Sequence, residues 1–463
     1  MKRKDKEEYP TSTTIAYSFA YFADTTAAQL ISFLLFTFYY VIIKIDVVWI
    51  MAVMIIWSIW DAINDPLMGA ISDRTNTKFG KRKPFIIIGI IPTCIILVLF
   101  WIPPTGSPFL IFIYILILLV LFDTFYTMYS LNQTALFPEM YQDLNQRAKA
   151  NNIVQVIGVI ALLFAFLAPV LFIPDYLNPE YKLNYFQTGL FMSIITAIAA
   201  FIFIKFGLKE RKEFLQDSAK APSFIDSLRA SIGNKSFVTY VIANFSIFYV
   251  FGMITTLAAL YGGIVLRIES SFLTSILLGL AFISAAGFMI LWNKIAIKYG
   301  VKKGQMLSML TFMIVLLPLL FVSDFIGGVI TFLIAGIGLA GALFFRAVTM
   351  SAIVDEDELK TGVRREGSYF GVNALIIRLT TIAVSISIAV VLSIIGMAEF
   401  DVEKVNETVI IALRVLMVVF PIIALTIGLL SLSRFPINKE REIEVKNKIE
   451  ILHKEKKENI QSR

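Results

Sequence analysis

Apolar runs long enough to cross a bilayer, about 18 residues or more, recur along nearly the whole chain. Hydrocarbon holds no water to satisfy backbone N–H and C=O groups, so a spanning segment must be a helix or part of a closed barrel. A barrel strand alternates apolar and polar residues over about ten positions. Stretches such as Phe109-Leu-Ile-Phe-Ile-Tyr-Ile-Leu-Ile-Leu-Leu-Val120 do not alternate. The chain is therefore expected to be an all-α polytopic membrane protein. Composition agrees: 58% of the 463 residues are hydrophobic and 16% charged, where a soluble domain carries about 25% charged residues.

Twelve spans are expected, near residues 13–43, 46–71, 84–104, 107–136, 150–173, 186–208, 236–265, 271–296, 304–323, 325–353, 367–397 and 405–431. The gap after the sixth is the first of real length, and it is polar and charged. Six spans on either side of such a loop mark two parallel bundles related by an axis along the membrane normal. The expected division is an N-terminal six-helix bundle at 1–208, a central cytoplasmic loop at 209–235, a C-terminal six-helix bundle at 236–433 and a cytoplasmic tail at 434–463.

Basic residues set the orientation. Arg74, Lys78, Lys81, Arg82 and Lys83 follow span two, Arg147 and Lys149 span four, Lys298, Lys302 and Lys303 span eight, and Lys360, Arg364 and Arg365 span ten. The loop Ile102–Pro108 has no basic residue. By the positive-inside rule both termini are cytoplasmic, in the plasma membrane. The net charge of +7 follows from that bias, so the expected surroundings are a lipid bilayer and no nucleic acid. Met1-Lys-Arg-Lys-Asp-Lys-Glu-Glu is not expected to be a cleaved signal, because a long span with its own acid follows. The tail, with Ile443, Val445, Ile449 and Ile451 among mixed charges, is expected to be a solvated amphipathic helix at the membrane surface.

Cys94 is the single cysteine and lies in an apolar run, so no internal disulfide forms. His453 is the single histidine and lies in the tail, so coupling within the membrane falls to carboxylates or a metal cation. Such carboxylates exist. Trp60-Asp61-Ala-Ile-Asn64-Asp65-Pro66 sets Asp61 and Asp65 at i and i+4 with Asn64 at i+3, all on one helix face. Acids at bilayer depth are expensive and as a rule line a cavity, bind an ion or relay protons. The three residues read as a cation site, with Asp61 and Asp65 as metal ligands if the ion is Na⁺. The alternative is a structural pair neutralised by Arg378 or Arg346. Asp24 and Asp123 are single acids in apolar spans, either functional or structural hydrogen-bonders. Arg378 lies well inside its span and is expected to pair with an acid or an anionic ligand. Arg346 is expected to pair with Asp355. Gln155, Asn132, Gln133 and Asn152 either line a cavity or bridge helices. Tyr369 and Phe370 read as packing or gate residues.

The loop Gly69-Ala-Ile-Ser-Asp73-Arg74-Thr-Asn-Thr-Lys78-Phe-Gly80-Lys81-Arg82-Lys83-Pro84 resembles the loop-two motif of the major facilitator superfamily, in a lengthened form. Trp60 to Pro84 as a whole resembles the glycoside–pentoside–hexuronide:cation symporter family. Ala135–Arg147 is similar to that family's loop after helix four, and Val354–Gly371 to its loop into helix eleven. Tyr21-Phe-Ala-Asp24 falls where the family has an acid on helix one. The resemblance implies a major facilitator fold, twelve helices in two bundles. It also implies Na⁺- or H⁺-coupled symport of a small polar solute, a sugar or glycoside, by alternating access.

By the same resemblance Asp61, Asn64 and Asp65 form the cation site, and Asp123 lies between cation and solute. Asp24 accepts solute hydroxyls, Arg378 falls on the helix-eleven lysine, and Asn373 on a nearby polar position. Tyr126, Thr127 and Gln155 complete the expected solute set. Asp73 with Arg74, Glu139 with Arg147, and Asp355 with Arg365 are expected to latch the inner side. The chain departs from the family pattern at three places. Val120 stands where a hydroxyl ligand is found, Thr127 where a tryptophan stacks on sugar, and Gln155 or Val154 where an arginine grips it. An anionic or amphipathic solute, such as a hexuronide or lysophospholipid, is the alternative cargo. A non-transporting sensor would need an appended signalling domain, for which the tail is too short. No enzyme is expected, since no nucleophile–base pair appears at useful spacing, and no cofactor beyond the coupling Na⁺ or H⁺.

Overall fold

The apolar runs are helical. A computed structural model describes residues 9–75, 77–141, 144–210 and 224–461. Among them no β-strand forms, and one isolated bridge joins Thr77 to Gly80. Among the described residues ten helices are long and apolar enough to cross a membrane, and Lys83–Leu99 is a shorter apolar helix. The polypeptide divides into two compact units. The first comprises Met1–Lys220 with Glu269–Ser275 and Ala398–Val402, the second the remainder.

The first unit holds α1 (Thr11–Thr37), α2 (Val47–Arg74), α3 (Lys83–Leu99), α4 (Pro108–Met140), α5 (Leu144–Leu167) and α6 (Lys182–Ile202). Polar residues punctuate them: the Asp46 carboxylate accepts from the Val48 N–H at 2.7 Å and starts α2, and Ser107 does the same for α4. α1 packs on α5 and α6, α3 on α4 and α6, and α2 on α4. One end of the unit closes on Tyr17, Tyr129, Tyr141 and Phe203, where the Tyr17 ring meets Tyr141 and Phe203 edge-on.

The second unit holds α7 (Phe224–Gly233), α8 (Lys235–Leu260), α9 (Ser271–Leu316) from Ile276 onward, α10 (Phe325–Thr361), α11 (Glu366–Ile394), α12 (Glu407–Arg414), α13 (Phe420–Ser433) and α14 (Lys439–Gln461). α8 packs on α11 and α13, and α14 lies on α10.

Two expectations change and one holds. The segment 209–235 is not a plain loop, because α7 occupies most of its end and Asn234 then caps α8 through the Ser236 N–H. Spans eight and nine are separate helices, as expected, with a tight junction inside 297–303. The range α9 is two helices that meet at a kink on Gly300, whose φ of 77° and ψ of 172° are not helical, a left-handed φ that costs glycine little. A count of twelve crossings therefore needs α9 counted twice and Lys83–Leu99 counted once. The tail is not a solvated surface helix. Val445 and Ile449 of α14 are buried while Ile443 and Ile451 are exposed, so one apolar face is used on the protein itself.

Candidate functional site

α2 has two faces. Ile56, Ile59, Ile63 and Leu67 are exposed, a stripe at helical spacing. Asp61 and Asn64 are buried and Asp65 is half-buried. α4 packs on α2 and brings Asp123 and Thr127, one turn apart and both buried. Hydrogen bonds then cross the interface in opposite senses. Asn64 Nδ2 donates to Asp123 Oδ2 at 2.9 Å and to the Asp123 carbonyl at 3.1 Å. Thr127 Oγ1 donates to Asp65 Oδ1 at 3.1 Å. A neighbouring bond runs from Trp60 Nε1 to Thr124 Oγ1 at 3.0 Å, and Thr124 passes its own proton to the Val120 carbonyl at 2.7 Å.

The result is a desolvated group of carboxylates held by neutral donors. Charges of one sign in a medium of low dielectric raise each other's free energy, and a cation relieves it. Among the described residues no three His, Cys, Asp or Glu side chains are grouped to hold a metal by themselves. The oxygens available are two carboxylates in contact with a carboxamide and a hydroxyl, a hard set that suits Na⁺ or a proton and no softer metal.

A second cluster lies beside it. The Asp24 carboxylate on α1 meets the hydroxyls of Tyr126 and Ser130 on α4. Its Oδ1 is inaccessible and has no hydrogen-bond partner among the described residues. The Tyr126 ring stacks on Phe122 at 5.4 Å and 12°. Gln155 on α5 is exposed, and so is Asn152, whereas Val154 is buried.

In the second unit Asn373 Oδ1 accepts from Asn244 Nδ2 at 2.8 Å, tying α11 to α8. Arg378 is half-buried on α11. Arg346 lies over the Phe248 ring at 5.3 Å, and its carbonyl accepts from Tyr240. Tyr369 is buried and its hydroxyl accepts from Asn234 at 2.9 Å, while Phe370 is exposed.

The expected latch pairs form with other partners. Glu139 meets Arg82 at 3.3 Å, and Arg147 instead donates to the Tyr141 carbonyl at 2.8 Å. Asp355 meets Arg364 at 2.8 Å and Arg365 meets Asp357 at 2.6 Å. The local reason is reach: Glu139 and Arg147 lie on either side of the turn that ends α4, so Arg147 caps that turn. The side chains of Asp73 and Arg74 lie outside the described residues.

Sequence reasoning passed over Ser130, Asn244 and Glu210. Ser130 stands one turn after Tyr126, so helical spacing from Tyr126 points to it. Asn244 and Glu210 act through partners far along the chain, at Asn373 and Arg82.

Buried acids between membrane-spanning helices define this as a polytopic membrane protein of the transporter class. Residues 16–439 match the family described as MFS/sugar transport protein, and the chain belongs to that family. It is similar to an uncharacterized symporter of Synechocystis sp., 29% identical over 47% of this chain and 40% of that protein. It is similar also to the isoprimeverose transporter of Lactiplantibacillus pentosus, 24% identical over 78% of this chain and 76% of the relative. The match to the Synechocystis protein thus spans less than half of that relative. A crystal structure of the nucleoside transporter NupG superposes with a TM-score of 0.66 at 15% identity, over 92% of this chain and 99% of NupG. That similarity establishes the major facilitator fold.

Proposed function

We propose that the chain is a cation-coupled symporter of a sugar or glycoside that works by alternating access in the plasma membrane, with both termini cytoplasmic. The observation that carries the reading is the reciprocal bonding of Asn64 to Asp123 and of Thr127 to Asp65, with Asp61 buried one turn away on the same face. Carboxylates gathered this way favour a positive partner. Na⁺ or H⁺ supplies it, and the loaded site then favours solute at Asp24, Asp123 and Tyr126. Each ligand strengthens the other by a reciprocal coupling free energy, typically about 1–3 kcal/mol.

Support for a sugar, over an anionic or amphipathic solute, comes from the family and from the isoprimeverose relative. The test is uptake by the reconstituted protein under an imposed Na⁺ or proton gradient, across a panel of glycosides. Wild type accumulates one of them against its gradient, and Asp61→Cys and Asp65→Cys do not. Unchanged accumulation in both variants would refute the coupling role.

A further inference from the structure

Thr127 occupies an ambiguous place, because its position on α4 is one at which a solute contact is expected. Its neighbours argue otherwise. The hydroxyl is 2% exposed and its proton is given to Asp65 Oδ1 at 3.1 Å. A solute oxygen accepting from Thr127 would have to displace that bond. The adjacent Tyr126 belongs to the separate Asp24 cluster together with Ser130, so neighbouring positions on α4 serve different acids.

We infer that Thr127 is a positioning residue of the cation site, holding Asp65 and setting the affinity for the coupling ion, and takes no part in binding the solute. This rests on the proposed function and adds to it the assignment of one hydroxyl. Three observations carry it. The first is symmetry of roles. Asn64 on α2 holds Asp123 on α4, and Thr127 on α4 holds Asp65 on α2, so each acid is held by a donor from the opposite helix. Removing either donor takes away one of the bonds that orient a carboxylate.

The second is the commitment of the nearest alternative. Thr124 lies one turn earlier on α4, yet its oxygen accepts from Trp60 and its proton goes to the Val120 carbonyl. That hydroxyl braces the two helices and is not offered to an acid. The third is chemical. A hydroxyl that has donated its proton keeps two lone pairs, and a carboxylate oxygen holding one donor keeps acceptor capacity. Thr127 Oγ1 and Asp65 can therefore both face one hard cation without breaking their mutual bond. The hydroxyl missing at Val120 is in this way supplied from one turn beyond Asp123.

The experiment compares wild type, Thr127→Val and Thr127→Ser in proteoliposomes. One arm measures the concentration of Na⁺, or of protons if Na⁺ has no effect on wild type, that half-activates uptake. The other measures half-saturation by the glycoside that wild type transports best, at saturating cation. Thr127→Val keeps the shape and removes the hydroxyl. It raises the half-activating cation concentration about tenfold and leaves glycoside half-saturation within about twofold of wild type. Thr127→Ser restores the cation value to within about twofold, which a merely structural role would not require.

A change in glycoside half-saturation with an unaltered cation response would overturn the inference, and so would the absence of any change. If wild type itself accumulates no glycoside under either gradient, the proposed function fails, and this assignment with it. A Thr127→Val protein that does not fold is caught by its melting temperature. The serine variant then decides alone: it must retain the cation response of wild type, and a tenfold loss in it would count against the hydroxyl's role.

Discussion

The Glu210 carboxylate, just past α6, accepts a hydrogen bond from the Arg82 backbone N–H at 2.8 Å. The N–H groups of Lys81 and Lys83 point to the same side chain, Lys83 at 3.3 Å. The first N–H groups of a helix have no partner within it and carry the positive end of its dipole. Glu210 thus caps α3 from 127 to 129 residues away and ties the chain after α6 to the loop between α2 and α3. Glu210→Ala removes a charged acceptor from those amides and is expected to cost about 1–3 kcal/mol. Glu210→Gln, which keeps one carbonyl, costs less. Thermal unfolding in detergent measures the order. A Glu210→Ala protein as stable as wild type would dismiss the cap.

Gly80 is the companion of that cap. It has φ 114°, and a Cβ placed there would overlap the Glu210 carboxylate. Gly80→Ala must both hold a left-handed φ and push Glu210 away, so about 1–3 kcal/mol of strain is expected. In a Glu210→Ala background the same change is cheaper, because only the backbone strain is left. Equal costs in the two backgrounds, read from a double-mutant cycle, would separate Gly80 from Glu210.

How much of this was legible in the sequence varies with distance along the chain. The membrane class followed from run lengths, and the acid face of α2 followed from i, i+3 and i+4 spacing, which any helix imposes. Ile63 and Leu67 fall on the opposite face by the same rule. The partner of each acid was not legible. Nothing near Asp65 announces Thr127, 62 residues on, and the motif order suggested Arg147 for Glu139 where Arg82 stands. The break between spans eight and nine was legible, since the gap expected at 297–303 contains it, whereas the one residue that absorbs the change of direction, Gly300, was not.

The Arg82–Glu139 pair offers a test of that correction. Arg82 is 8% exposed and Glu139 17%, and Arg82 also donates to Ser72 at 3.1 Å and to Asn132 at 3.4 Å. Breaking a fully buried pair costs about 3–5 kcal/mol because the remaining charge is uncompensated. The two other acceptors soften that, so Glu139→Ala is expected to cost about 2 kcal/mol in thermal unfolding. Arg147→Ala, which among the described residues removes bonds to backbone carbonyls, costs about 1 kcal/mol. The reverse order would restore the pairing of Glu139 with Arg147.

Asn64 is the donor that holds Asp123. Asn64→Leu removes it and leaves the acid without that bond. Asn64→Asp sets a carboxylate against Asp123 Oδ2 where the amide now sits at 2.9 Å. Both variants are expected to lower gradient-driven uptake at least tenfold. They differ in cation response: the aspartate adds negative charge, so its residual uptake needs less cation than that of the leucine variant. Cation titrations of uptake measure this, and wild-type coupling in Asn64→Leu would remove Asn64 from the site.

The last prediction concerns the tail helix and the break in α9. Immediately after Gly300, the Val301 N–H donates to Glu442 of α14 at 2.9 Å. Lys302 Nζ donates to the Phe435 carbonyl at 2.7 Å, and Lys439 Nζ to the Lys298 carbonyl at 2.6 Å. α14 therefore supplies the acceptor that the helix after the break lacks, while its lysine satisfies a carbonyl before the break. Glu442→Ala is expected to cost about 1 kcal/mol, the usual value of a lost cap, and Glu442→Gln to recover most of it. Gly300→Ala carries the left-handed φ and also crowds Glu442 Oε2 at 2.9 Å and Lys439 Cα at 3.1 Å. Its cost should fall when residues 439–463 are removed, because the crowding is then relieved and only backbone strain of about 1–3 kcal/mol persists. Melting curves of the single and combined variants test the coupling. If Gly300→Ala costs the same with and without α14, the tail does not brace the break, and the buried Val445 and Ile449 would be packing alone.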